Sequence, residues 1–339
     1  MAHVTALAFG PVVTTALLLA SAVADCRGAV IYTVGVGKQY ATVQAAIDAV
    51  PASPTQRYVI DIAPGTYREQ VRVNKPMVTL RGTGGSAAAT VLTYNETAVS
   101  GNPLANASAA VQSKDFVAQN LTFENTAGKT AGVALAMYVK ADRAVFDNVR
   151  FLGWQDTLRS ETGRHYFQDC YVEGSVDFIY GKGQAYFEDC TLYAKSNGYV
   201  TAQGREGSTE TNGFVFHQAT VTGSAAKGNV YLGRPWQAYS RAIFLESTLG
   251  DVVNSAGWAT WSGDHLTSYF AEYGNTGLGA AGTRAAWSYK LNATQIAPYS
   301  MQNWMSGTDG WNPTTLVPEP GLASVLVGMV FVACRRTRH

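Results

Sequence analysis

Two aspartates stand where surface acids seldom do. Asp156 lies in FLGWQDTL (151–158) and Asp177 in GSVDFIYG (174–181), both among apolar and aromatic neighbours. A carboxylate between Val176 and Phe178 carries a desolvation cost unless it is paired or used. Close carboxyl groups can separate their pKa values, leaving one protonated acid and one ionised nucleophile. The other common catalytic signatures are missing: the chain has no GxSxG, no HExxH and no phosphate loop ending in GK[ST]. Its five histidines are scattered without ligand spacing and read as surface or satisfied core residues. On this footing an acid pair and a purely structural Asp/Asn ladder are equally open.

The choice depends on what positions the two aspartates. Six strand-like segments repeat along the chain: FVAQNLTF (116–123), AVFDNVRF (144–151), HYFQDCYV (165–172), AYFEDCTL (185–192), FVFHQATV (214–221) and AIFLESTL (242–249). Aligned on Asn120, Asn148, Asp169, Asp189, Gln218 and Ser247, they are spaced 28, 21, 20, 29 and 29 residues apart. Each alternates apolar and polar residues with period two and is rich in aromatic and β-branched types, as strands are. A period near 20 with longer insertions predicts an all-β chain, a right-handed single-stranded parallel β-helix whose insertions leave as loops. A β-sandwich would also give many short strands, and so would a propeller, but a propeller blade takes about 40 residues. In the solenoid, Asp156 and Asp177, 21 residues apart, fall side by side on adjacent coils. The stretch ATVQAAIDAV (41–50) has helical spacing and is expected to begin or cap the stack, whose open edge must be covered.

Composition narrows the partners. The 339 residues are 47% hydrophobic and carry a net charge of +1 with only 14% charged residues, so no basic surface points to nucleic acid. The apolar N-terminal stretch ending at Ala22-Val23-Ala24 reads as an export signal over residues 1–24, although it lacks Lys and Arg. At the other end VPEP (317–320) precedes a thirteen-residue apolar run, Leu322 to Cys334, and the arginines 335, 336 and 338. That run is short of the roughly 20 residues needed to span a bilayer. The segment 317–339 resembles the PEP-CTERM sorting signal of some Gram-negative bacteria, which implies a transient membrane sorting protease as partner. A plain C-terminal anchor is the alternative. Either reading leaves a body of residues 25–316, secreted or on the cell envelope. Of the four cysteines, Cys26 and Cys334 lie in or beside the terminal segments, leaving Cys170 and Cys190 at equivalent places on neighbouring coils as the expected disulfide.

An ordered set of motifs then bears on the chemistry. GTYREQV (65–71), GWQDTL (153–158), GSVDFIYG (174–181), YVTAQGR (199–205), YLGRPW (231–236) with YSR (239–241), and GWATWSG followed by EYGNTGLGA resemble the signature stretches of pectin methylesterases. They run in family order over about Tyr32 to Ser300. The resemblance implies hydrolysis of the methyl esters of polygalacturonate through an aspartyl acyl-enzyme, with methanol released. By motif, Asp177 matches the nucleophile, Asp156 the general acid/base, Gln155 an oxyanion donor and Arg234 the residue that holds the nucleophile. Trp236, Tyr180 and Tyr138 match aromatic positions lining the sugar groove, and the Cys170–Cys190 pair resembles a disulfide of bacterial members. It further implies methylated pectin as partner, a monomer, and no metal or organic cofactor.

Two positions depart from the pattern. Val133, in VALAMYV, stands where the family has a second glutamine, and Arg159 follows QDTL where an aromatic residue is usual. A related esterase or thioesterase is one alternative, because the same dyad could serve another acyl group, and a non-catalytic polysaccharide-binding β-helix, for which Val133 is the only argument, is the other. A β-helix lyase would need clustered calcium-binding acids that these motifs do not supply.

Overall fold

The computed structural model describes residues 28–97 and 102–316. The expected export signal, the C-terminal segment, Cys26 and Cys334 lie outside the described residues. The chain winds into a right-handed parallel β-helix, the handedness that a right-twisted strand imposes on a crossover. All pairings between its strands are parallel. One wall is a seven-stranded sheet. In spatial order it contains Val71–Val73, Ala107–Val111, Leu135–Lys140, Leu158–Thr162, Ile179–Gly181, Gly198–Gln203 and Val230–Pro235. The remaining strands form a larger wall that bends along its length. Ala144–Leu152 runs unbroken through that bend, and the following coil answers it with two strands, Arg164–Gln168 and Tyr171–Gly174.

The bend explains the repeat. Each of the six segments straddles a corner whose central residue has left-handed backbone: Asn120, Asn148, Asp169, Asp189, Gln218 and Glu246, with φ between 49° and 53°. Short polar side chains that bond locally tolerate this region best, which is why the position reads Asn or Asp in four of six coils. The sixth corner is Glu246, and Ser247, expected there from sequence, follows it. Pairing of His217 with Leu245 fixes that register.

Inside the helix the same register stacks side chains. Phe146, Phe167, Phe187, Phe216 and Phe244 pair in turn, with ring centroids 4.8, 4.4, 4.6 and 4.4 Å apart and planes within 15° of parallel. The spacing is that of neighbouring strands, and each ring is fully buried. The expected helix is Val43–Asp48, which closes the N-terminal end. Thr42 caps it, and both carboxylate oxygens of Glu69 accept from the amides of Val43 and Gln44 at 2.8 and 2.9 Å.

Cys170 and Cys190 do sit on adjacent coils, one residue before paired Tyr171 and Thr191. They are not bonded: both are free, buried thiols. Cys170 Sγ donates to the carbonyls of Phe146 and Gln168 at 3.4 and 3.3 Å, and Cys190 Sγ to those of Phe167 and Glu188 at 3.5 and 3.3 Å. In-register parallel strands hold side chains parallel about 4.8 Å apart. A disulfide instead wants Cβ atoms about 3.8 Å apart and a right-angled S–S torsion.

Candidate active site

The seven-stranded sheet has a second left-handed corner, and both aspartates sit on it. Asp156 (φ 61°) and Asp177 (φ 50°) immediately precede the strands Leu158–Thr162 and Ile179–Gly181. The Asp156 amide donates to the Val176 carbonyl at 3.0 Å, and the Leu158 amide to Phe178 at 2.9 Å, locking the two corners one coil apart. A corner this tight needs bare backbone close by. A Cβ on Gly174 would stand 2.2 Å from Phe178 Cβ and 2.7 Å from the Trp154 carbonyl, so only glycine lets the Asp177 coil fold onto the Asp156 coil.

The two residues are 9% and 5% exposed, and their carboxyl groups differ in what holds them. Arg234, from the strand Val230–Pro235, grips Asp177 with two bonds: Nε to Oδ1 at 2.9 Å and Nη2 to Oδ2 at 2.6 Å. Its guanidinium lies between two rings, 4.0 Å from the Tyr199 centroid and 3.9 Å from that of Trp261. A stacked, bidentate arginine is held in place, and its charge favours the ionised form of Asp177. Burial is the larger influence and leaves the Asp177 pKa above the usual carboxylate value, with Arg234 pulling the other way. Asp156 has no such partner. Burial first, and the Asp177 charge second, push its pKa up to about 7, so Asp156 is the member of the pair that holds a proton toward neutral pH.

Beyond the corner, outward side chains line up one per coil. Register pairing places Ala110, Tyr138, Arg159, Tyr180, Ala202 and Arg234 in a single row across the sheet. Tyr180 meets Trp236 edge to face at 5.8 Å. Trp236 lies over Gly204, where a Cβ would come within 2.6 Å of its ring. Tyr138, Tyr180 and Trp236 thus share one aromatic surface beside the acid pair, with Val133 and Trp261 packed at its margin.

The sequence-predicted residues Asp156, Asp177, Arg234, Tyr138, Tyr180 and Trp236 are therefore brought together on one face of the sheet. Gln155, half-buried, lines a cleft of about 390 Å³ with Lys129, Ser175, Val176 and Lys195, a cleft that the two aspartates, Arg234 and the aromatic surface do not line. Among the described residues nothing bonds its side-chain amide. Val133 is its register partner, so the two side chains face the same way and an apolar group stands beside the amide. Sequence reasoning gave no role to Tyr199 or Trp261, the plates that hold Arg234. Both lie in motifs read for order alone, YVTAQGR and GWATWSG, and an aromatic residue in each was the only signal. His165, buried and bonded to Ser160 Oγ at 2.7 Å and the Ala141 carbonyl at 2.9 Å, has its pKa lowered to about 4 by burial and stays neutral in the core. Among the described residues no three His, Cys, Asp or Glu side chains gather as metal ligands.

Residues 29–308 match the family model described as Pectinesterase. Pectinesterase 31 of Arabidopsis thaliana is 40% identical over 266 residues, covering 74% of this chain and 84% of that protein. The solved pectin methylesterase from carrot superposes with a TM-score of 0.79 at 31% identity, covering 86% of this chain and 98% of that one. The pectin methylesterase PemA from Erwinia chrysanthemi gives 0.72 at 26% identity, covering 84% and 98%.

Proposed function

The chain belongs to the pectinesterase family, and from that premise we propose how its groove works and which residues carry the reaction. It is a carboxylic ester hydrolase that de-esterifies pectin, releasing methanol. The observation that carries the mechanism is the asymmetric pair: an ion-paired Asp177 one coil from an Asp156 whose pKa stands near 7.

Asp177 attacks the C6 carbonyl carbon of a methyl-galacturonate, and the carbonyl electrons move onto oxygen. The Gln155 amide donates to that oxyanion. As the intermediate collapses, the bond to the methoxy oxygen breaks and Asp156 gives it a proton, so methanol leaves and an acyl-aspartyl enzyme remains. Asp156, now ionised, takes a proton from water. The hydroxide attacks the acyl carbon, Asp177 departs as carboxylate, and the galacturonate acid is freed. Arg234 keeps Asp177 aimed and charged. Tyr138, Tyr180 and Trp236 present apolar faces on which sugar rings lie. No step calls on a metal or organic cofactor.

The body of the protein is read as residues 25–316, a monomer. The terminal segments 1–24 and 317–339 would serve export and sorting, by a membrane protease of a Gram-negative envelope. Extracellular action suits a polymeric cell-wall substrate. The apolar Val133 beside Gln155 favours a slow enzyme and is the one observation that lends weight to a non-catalytic pectin-binding reading. Methanol release from highly methylated pectin by the purified protein tests the proposal. Binding of pectin by folded protein without any methanol would overturn it in favour of the binding reading.

A further inference from the structure

Arg159 is the unexplained member of the outward row. Its guanidinium lies 5.6 Å from the Tyr138 ring centroid, 5.1 Å from that of Tyr180 and 5.5 Å from that of Trp236. Its side chain is 15% exposed, on the strand that follows the proposed acid and three residues beyond it. Glu161 accepts from Nε at 2.6 Å and is equally shielded, so the cation is fixed and neutralised from one side. The Tyr180 hydroxyl adjoins it. Among the described residues no carboxylate or carbonyl accepts from its two terminal nitrogens. Of the other cations near the site, Arg234 is engaged by Asp177, Lys182 by Glu206, and Lys195 by Glu173 at 2.8 Å, while Lys129 lies 5.8 Å from the Trp154 ring centroid.

A caged arginine whose Nε is held by Glu161 and whose terminal nitrogens have the Tyr180 hydroxyl but no protein carboxylate beside them can receive a planar anion. The aromatic cage strengthens that choice: it positions sugar rings and screens the cation from water, so a charge-assisted bond there is worth more than at an open surface. The esterase reaction itself creates such an anion, a galacturonate carboxylate, on the polymer lying in this groove. A methyl ester at the same place offers only a neutral carbonyl.

We propose that Arg159 is a specificity-determining residue that binds the free carboxylate of a de-esterified galacturonate next to the reacting ester. Turnover of an ester flanked by a free carboxylate then depends on Arg159. The inference rests on the esterase reading for its catalytic consequence, but the binding of the carboxylate stands by itself.

The test compares kcat/KM for methanol release from fully methylated and half de-esterified galacturonate oligomers. Calorimetry of fully de-esterified oligomers, which carry no ester to cleave, provides the second readout. Wild type should prefer the half de-esterified oligomer by about tenfold, the size of one charge-assisted hydrogen bond, and the preference should shrink with added salt. Arg159→Gln should bring the ratio to about one, chiefly through KM, and weaken calorimetric binding about tenfold. Arg159→Lys should keep part of both effects, and Glu161→Gln should enlarge them by removing the competing carboxylate. A wild type without preference, or an Arg159→Gln protein that keeps it, overturns the assignment. If Arg159→Gln does not fold, Glu161→Gln decides, since unchanged preference and binding there also overturn it. Failure of the esterase reading looks different: no methanol from either oligomer, with the calorimetric difference between wild type and Arg159→Gln intact.

Discussion

The inward phenylalanine stack and the outward row of the site sheet are made by the same device, one side chain per coil held in register, yet they are filled in opposite ways. Inside, Phe146 through Phe244 repeat one residue type at nearly constant spacing. Outside, the row reads Ala110, Tyr138, Arg159, Tyr180, Ala202, Arg234, with no two neighbours alike. Uniform stacking buries apolar area without specifying any one coil. A mixed row breaks the symmetry, so a single place along the helix can hold a nucleophile, an acid and a cation. Asp156 and Asp177 share left-handed backbone with the Asn120–Glu246 corner, so corner geometry is common property and only burial and Arg234 make the pair chemical.

Mutation should separate the two regions most widely at Asp177 and Phe187. Asp177→Asn should lower turnover by roughly 10⁴-fold or more while the protein stays folded, because an amide is no carboxylate nucleophile. Phe187→Ala should do the reverse, costing about 3 to 5 kcal/mol of stability with kcat nearly unchanged below its melting temperature. Chemical denaturation and methanol assays on both variants check this, and a shared loss of activity without loss of stability would collapse the distinction.

The pH response sharpens it further. Asp156 titrates near 7 when folded against an ordinary 3.8, so the folded chain binds this proton more readily than the unfolded one. Stability from this group is therefore complete below about pH 4 and is lost as pH rises through about 7. Denaturant midpoints at pH 5 and pH 8 should show wild type falling and Asp156→Asn falling less. Equal falls would remove the perturbed carboxyl from the account of the site.

The corner pattern and solenoid period were legible in sequence because each coil repeats its polar residue and its inward aromatic. The last corner was not, since Glu246 and Ser247 are both polar and only pairing with the preceding coil distinguishes them. The acid pair was legible as spacing plus apolar surroundings. The plates around Arg234 and the cage around Arg159 were not, because each is assembled from coils far apart in the chain by register alone. The expected Cys170–Cys190 disulfide failed for a related reason: equivalent places on a parallel stack are adjacent, but adjacency there is the wrong geometry for a bridge.

Val133 is a smaller test on the outward side. Its position beside Gln155 makes Val133→Gln the substitution that adds a second amide to the groove. Turnover should rise about tenfold with little change in KM. If the amide is instead buried unpaired, stability falls by about 1 to 3 kcal/mol without a gain in rate. A folded variant with unchanged turnover removes the missing-donor explanation. The smallest effect belongs to the inner stack: Cys170→Ala should cost about 1 kcal/mol and leave kcat alone. Wild-type melting temperature should not respond to reductant, and a fall of several degrees would reveal a disulfide after all.

The division of labour between the two aspartates is tested most directly by changing the leaving group. A nitrophenyl ester of galacturonate expels a phenolate that needs no proton, so the acid becomes dispensable for acylation while the nucleophile does not. On this ester, rapid-mixing assays should show Asp156→Asn releasing nitrophenolate in a burst stoichiometric with enzyme and then stalling, for want of a base to activate water. Asp177→Asn should release none above background. Equal residual rates for the two variants, or a burst from Asp177→Asn, would contradict the assignment of nucleophile and acid.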